Sequence, residues 1–216
     1  MKINLKSGLT IFLFIVFTDV HSQVIPGYIF GLNLSTITLK TNGISTKPET
    51  PIGIHFGRFI DIPLNDNLGL EPALLFSAKG SNYKIDTVEY SLSPIYIEVP
   101  VMAVYSFGSD AIKISLFAGP YFACGVGGYK IESGGELKKI NFGSGSNNDL
   151  RRFDIGLNFG AGINYKGLFI SAQYGIGLSN LSPHTLDVQE MKNRVVGISI
   201  RSILYNKEWY PEYFLK

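Results

Sequence analysis

From Phe153 to Tyr165 the chain alternates without a break. Phe153, Ile155, Leu157, Phe159, Ala161, Ile163 and Tyr165 share one parity, while Asp154, Gly156, Asn158, Gly160, Gly162 and Asn164 share the other. Side chains of a strand point to opposite faces with period two, whereas a helix would scatter both sets around its circumference. This stretch is therefore a strand with one apolar face and one small, polar face, and it limits the chain to folds built from such strands.

The device recurs. Leu168, Ile170, Ala172, Tyr174, Ile176 and Leu178 alternate with Phe169, Ser171, Gln173, Gly175, Gly177 and Ser179. Ile112, Ile114, Leu116, Ala118, Pro120, Phe122, Cys124 and Val126 alternate in the same way with Lys113, Ser115, Phe117, Gly119, Tyr121, Ala123, Gly125 and Gly127. Further strands are predicted near 28–38, 52–61, 67–79, 93–107 and 194–205, making eight. Pro63-Leu64-Asn65-Asp66, Gly108-Ser109-Asp110 and Lys166-Gly167 are short turn sequences. The other connections, about 39–51, 80–92, 130–148 and 180–193, are long and polar. Strict alternation of short and long links is expected of an all-β, eight-stranded antiparallel up-and-down transmembrane β-barrel, with short turns on the periplasmic side and longer loops outside the cell.

A soluble, lipocalin-like secreted barrel also alternates, but with its apolar face inward and a charged exterior. Here the second face carries mostly Gly, Ala, Ser and Asn, and charged residues make up only 17% of the chain. Small residues suit the narrow lumen of eight strands. Glu71, Glu98, Lys113 and Arg201 fall on this face, and mixed charges on an enclosed face are expected to pair as a lumenal network, because an unpaired one there is costly. Arg58 shares parity with Phe56 and Ile60, which calls for a snorkelling side chain or a local register shift. Tyr28, Tyr96, Tyr105, Tyr165 and Tyr205 are candidates for interfacial girdles.

Residues 1–22 read as a secretory signal peptide: Lys2 and Lys6 precede a short apolar run at 9–17, and Val20-His21-Ser22 supplies a small residue before a cut. The barrel is expected over 23–205 and a periplasmic tail, with Trp209, Tyr210, Tyr213 and Phe214, over 206–216. Cys124 has no intramolecular partner and reads as a small hydrophobe. A net charge of +2 with only the doublets Lys138-Lys139 and Arg151-Arg152 gives no nucleic-acid footprint. His21, His55 and His184 lie apart, with no metal or catalytic spacing, so neither cofactor nor enzyme chemistry is expected. The glycines of 156–162 lack dinucleotide spacing and a following helix. Ser144 and Ser146 lie in a Gly-Ser-Asn loop, not a nucleophile elbow.

Tyr96-Ile-Glu-Val-Pro-Val-Met-Ala-Val-Tyr105, Phe117-Ala-Gly-Pro-Tyr121, Asp154-Ile-Gly-Leu-Asn-Phe-Gly-Ala-Gly162 and Leu70-Glu-Pro-Ala-Leu-Leu-Phe-Ser-Ala-Lys-Gly80 together resemble, in order and spacing, the outer-membrane β-barrel proteins of Bacteroidetes called PorT-like. The resemblance implies a barrel in the bacterial outer membrane, surrounded by lipid, without implying one activity. One branch of that group is linked to type IX secretion. The expected roles are thus structural or binding, with an extracellular ligand met through loops such as 130–148, or membership of a secretion or envelope assembly through the tail.

Overall fold

The computed structural model describes residues 24–41, 44–46, 50–85, 88–109, 112–132, 135–145, 147–165, 168–183 and 190–203. The expected signal peptide, His184, Tyr205 and the tail at 206–216 lie outside the described residues. Eight long strands form the wall: β1 (Ile25–Thr41), β2 (Ile52–Pro63), β3 (Leu68–Ala78), β4 (Val88–Gly108), β5 (Ile112–Glu132), β6 (Phe153–Tyr165), β7 (Leu168–Gly177) and β8 (Glu190–Ile203). Each pairs antiparallel with its neighbours in sequence, and β1 closes the ring on β8 from Gly27↔Ile203 to Lys40↔Glu190. The result is an eight-stranded up-and-down barrel. Closure leaves no strand edge among its walls.

Its apolar face is outside. Phe30, Leu32, Phe56, Leu116, Leu157, Ile163, Ile170 and Ile198 are all exposed, while Asn33, Ser77, Glu98, Asp154, Asn158, Ser171 and Arg201 are buried. A soluble barrel would show the reverse, so the lipocalin-like alternative is excluded. On β6 the apolar belt runs the length of the strand, about 40 Å at roughly 3.3 Å per residue. A tilt of about 40° brings this to about 30 Å, the thickness of a bilayer's hydrocarbon core. The glycines opposite the belt make room for rings: a Cβ at Gly156 would meet Tyr121 at 2.4 Å, and one at Gly160 would meet Phe117 at 2.6 Å.

Arg58 keeps the outward parity with the register intact (Tyr28↔Arg58), its guanidinium 5.3 Å from the centre of the Tyr28 ring near the periplasmic rim. Tyr28, Tyr105 and Tyr165 are exposed at that same rim, but Tyr96 is wholly buried, which removes it from the girdle. The reason is parity, since Tyr96 lies two positions from inward-facing Glu98. Cys124 is half-buried on the outer parity of β5.

The long links are more ordered than their composition suggests. β4 and β5 extend well past 93 and 127, and Ser81–Ile85 and Lys138–Lys139 add short strands to their upper ends. Ile44–Thr46 pairs with the top of β1. Between Ile95 and Tyr96 the β4–β5 register shifts by one residue, so Val126 faces out below the shift and Tyr129 and Ile131 face out above it. Gly128 sits beside this bulge at φ 141°, a conformation that favours glycine.

Candidate functional site

Three layers of inward-facing side chains succeed one another from the periplasmic end upward. In the lowest, Arg201 of β8 donates to both carboxylate oxygens of Glu71 on β3. Its guanidinium lies against the rings of Phe169 (4.1 Å to the centroid), Phe117 (5.4 Å) and Phe59 (5.6 Å). A planar, weakly hydrated cation tolerates such surroundings where an ammonium would not. Lys113 is half-buried on the same inward face, nearer the periplasmic turns.

The middle layer joins strands far apart in sequence. His55 on β2 bonds Asn33 Oδ1 through Nδ1 (2.8 Å) and Ser199 Oγ through Nε2 (2.8 Å). Asn33 Nδ2 donates to Ser77 Oγ at 3.1 Å. Glu98, expected among the lumenal charges, pairs with Lys79 at 2.7 Å, and both are almost completely buried. Asn158 Nδ2 reaches the same carboxylate at 3.5 Å. Thus Glu71 and Arg201 meet directly, while the cation beside Glu98 is Lys79, which the sequence reading left unmarked. Lys79 shares parity with Glu71, Leu75 and Ser77, and that signal was available.

Above lies an aromatic and carboxylate layer. Tyr121 Oη donates to Asp154 Oδ2 (2.9 Å), and Asn193 Nδ2 donates to the same oxygen (2.8 Å). The Lys79 ammonium stands 4.6 Å from the Tyr121 ring centre and 5.2 Å from that of Tyr96. One residue therefore ties the middle layer to the upper one by charge and by cation–π contact.

Asn33, His55 and Ser199 have the connectivity of an orienting amide, a base and a nucleophile. Sequence spacing could not show this, since His55 and Ser199 are 144 positions apart. The space around them decides its meaning. The void lined by Asn33, His55, Ser77, Lys79, Glu98 and Asn158 measures about 10 Å³. That is about the room one water needs, and no acyl substrate fits it. The trio is a packed polar core.

A folded cap covers the extracellular end. Ile37, Leu92, Ile140, Leu150, Leu181 and Met191 form a buried apolar cluster, with Phe142 packed against it and edge-on to Tyr96 at 6.0 Å. Backbone bonds stitch it to the wall: Gly125 N–H to Arg152 O (2.7 Å), Ile140 N–H to Gly128 O (3.0 Å), Arg151 N–H to Leu181 O (2.9 Å) and Leu181 N–H to Met191 O (2.8 Å). Ser35 Oγ and Gly80 exchange two further bonds. On the cap's flank a depression of about 410 Å³ is lined by Val126, Gly127, Ile140, Asn141, Phe142, Asn147, Asn148 and Arg152.

Compared with known proteins, the chain matches the family described as outer membrane protein beta-barrel domain over residues 24–182. No curated protein matches it in sequence. Among solved structures it is similar to Neisserial surface protein A (16% identity, covering 84% of this chain and 97% of that one, TM-score 0.45). It is likewise similar to OprG from Pseudomonas aeruginosa (12%, 85% and 95%, 0.44). A third is Ail, the attachment invasion locus protein of Yersinia pestis, solved with the heparin analogue sucrose octasulfate (13%, 84% and 99%, 0.43). The family match carries the assignment.

Proposed function

The chain belongs to the outer membrane protein beta-barrel domain family and resides in the bacterial outer membrane, and from that premise we propose a closed, non-enzymatic barrel that holds a folded extracellular cap as a binding surface. The observation that supports this reading is the set of paired side chains in the lumen, with a void of only about 10 Å³ among those of the middle layer, beneath a cap with its own apolar core. A conducting barrel keeps a continuous wet path, whereas here Arg201–Glu71, Asn158–Glu98 and Asn193–Asp154 tie non-adjacent strands together at three successive heights in the lumen. A barrel serving only as a wall would gain nothing from ordering long loops, which costs conformational entropy.

Planar-bilayer recording on the reconstituted protein tests the closure. Steady current under applied voltage from the wild type overturns it. Silence in the wild type, with current appearing in Lys79→Ala, supports it.

The four motifs from Leu70-Glu-Pro to Asp154-Ile-Gly support placing the chain in the PorT-like branch of the family. An envelope assembly contacted through Trp209, Tyr210, Tyr213 and Phe214 is the alternative function. Deleting 206–216 tests it: loss of an envelope phenotype with the barrel still assembled would favour that role over the cap.

A further inference from the structure

The depression on the cap's flank stands at a particular height. Phe122 and Phe153 stack at 5.6 Å on the outer face of β5 and β6, at the top of the belt on β6, while on β5 outward apolar side chains continue through Val126, Tyr129 and Ile131. β6 begins at Phe153, and the next residue back along the chain is Arg152, which lines the depression. Val126 forms another part of the wall and itself points out of the barrel. The depression therefore meets the membrane surface where the outer leaflet's acyl chains give way to headgroups.

Its chemistry is polar and cationic. Asn141, Asn147 and Asn148 offer amides, groups that both donate to and accept from sugar hydroxyls. Arg152 is held over the Phe142 ring at 5.9 Å, donating to the carbonyls of Gly125 (3.2 Å) and Phe142 (3.4 Å). That anchoring uses two of a guanidinium's five donors and leaves others for an anion. Lys138 and Lys139 are exposed on the neighbouring short strand, Lys139 opposite outward-facing Tyr129. Of the nearby acids, Asp149 is occupied by Lys130 Nζ (2.5 Å) and the Asn141 N–H (2.8 Å), while Glu136 is exposed. Leu137, 60% exposed, adds an apolar contact beside the two lysines.

Building on the cap as a binding surface, we propose that this depression holds the phosphorylated sugar headgroup of an outer-leaflet glycolipid. Arg152 and Lys139 take the phosphate, the asparagine amides take the sugar hydroxyls, and the acyl chains run down over Val126, Phe122 and Phe153. A bidentate guanidinium contact suits a phosphate better than a point charge does. The lipid source follows from position, because the depression continues directly into the lipid-facing belt.

Gly127 allows a clean test, since a Cβ built there meets nothing within 4 Å. Gly127→Phe would place a ring at the wall of the depression and narrow it while leaving every charge in place. The full chain is reconstituted in phosphatidylcholine nanodiscs doped with bis-phosphorylated lipid A or its dephosphorylated form, and retained glycolipid is counted by native mass spectrometry. Heat-modified gel migration verifies that each variant has folded. The wild type is expected to retain the phosphorylated form about tenfold better, the scale of one or two charge-assisted hydrogen bonds. Gly127→Phe, Arg152→Gln and Lys139→Glu should each erase most of that preference. Equal retention of both lipids, or folded variants that behave as wild type, overturns the proposal. Soluble glucosamine 1-phosphate binding as tightly as lipid A overturns the lipid source. Any of these results with a non-conducting barrel leaves the closed-barrel reading standing, and conductance by the wild type refutes that reading separately.

Discussion

Arg201 on β8 and Glu71 on β3 lie 130 positions apart and join as a two-pronged ion pair across the lumen, with two strands of wall between their own. Removing Glu71 leaves the Arg201 guanidinium among the rings of Phe59, Phe117 and Phe169, with Asp61 the other carboxylate close enough to act on it. Glu71→Ala is expected to cost about 3–5 kcal/mol, the usual scale for orphaning a buried charge. The double variant Glu71→Leu/Arg201→Met, which removes both charges of the pair and leaves Asp61 close by, should recover part of that loss. Urea unfolding of the refolded barrel measures both, and a double variant no better than the single would show that the pair contributes more than charge compensation.

His55 and Ser199 stand at 2.8 Å in a space that admits about one water. Ser199→Ala leaves the ring nitrogen without its partner and should cost about 1–3 kcal/mol. A fluorophosphonate probe for activated serines should not label the folded barrel. Labelling at Ser199, mapped by peptide mass spectrometry, would show that the trio of Asn33, His55 and Ser199 reaches substrate after all.

Tyr96 and Tyr165 separate the inside of the wall from its rim. Tyr96 is buried among Lys79, Phe142 and Tyr121, whereas Tyr165 is half open at the periplasmic edge. Tyr96→Ala should cost about 3–5 kcal/mol, as large-to-small changes in packed cores do. Tyr165→Ala should cost about 1 kcal/mol or less in detergent, where no bilayer interface is at stake. Equal costs in chemical unfolding would contradict the placement of Tyr96.

Gly156 and Gly127 form a similar contrast. A methyl at Gly156 presses on the Tyr121 ring and on the backbone oxygen of Ile176 at 2.3 Å, so Gly156→Ala is expected to lose about 1–3 kcal/mol. Gly127→Ala, with open space before it, should fall within about 0.5 kcal/mol of the wild type. The comparison is a pair of melting curves in the same detergent.

The cap should loosen without the barrel. Leu150 and Leu181 are fully buried in its apolar cluster and contribute nothing to the lumenal layers. Leu181→Ala is expected to cost the cap about 2–5 kcal/mol. Protease added to intact cells should then cut within 135–152 or 178–183, while β1 to β8 keep their protection from hydrogen exchange. Loss of protection along the strands as well would mean that cap and wall unfold as one unit.

The wall was legible in the sequence because parity is a local property. Each of Glu71, Glu98, Lys113 and Arg201 falls on the inward face its position dictates, and the same rule, applied to Lys79 and Tyr96, would have placed both inside. Partnership is a different matter. That Glu98 meets Lys79 and that His55 meets Ser199 depends on strand stagger, which alternation does not encode. The cap was illegible for another reason. Ile37, Leu92, Ile140, Leu150, Leu181 and Met191 come from separate segments with no shared period, so nothing in any one of them announces a core.

The extra residue at Val126 and Gly127 puts the two halves of β5 in opposite phase: even-numbered side chains face outward below it and odd-numbered ones above. Such an offset acts as a joint. A hairpin tip transplanted from another barrel would take up the upper phase if joined above the bulge, which stays with the wall. Deleting the extra residue would instead turn Tyr129 and Ile131 toward the lumen and Lys130 toward solvent. Tips cut above the joint are thus interchangeable parts, and a lineage can revise what it shows to its surroundings while the wall in the membrane stays as it is.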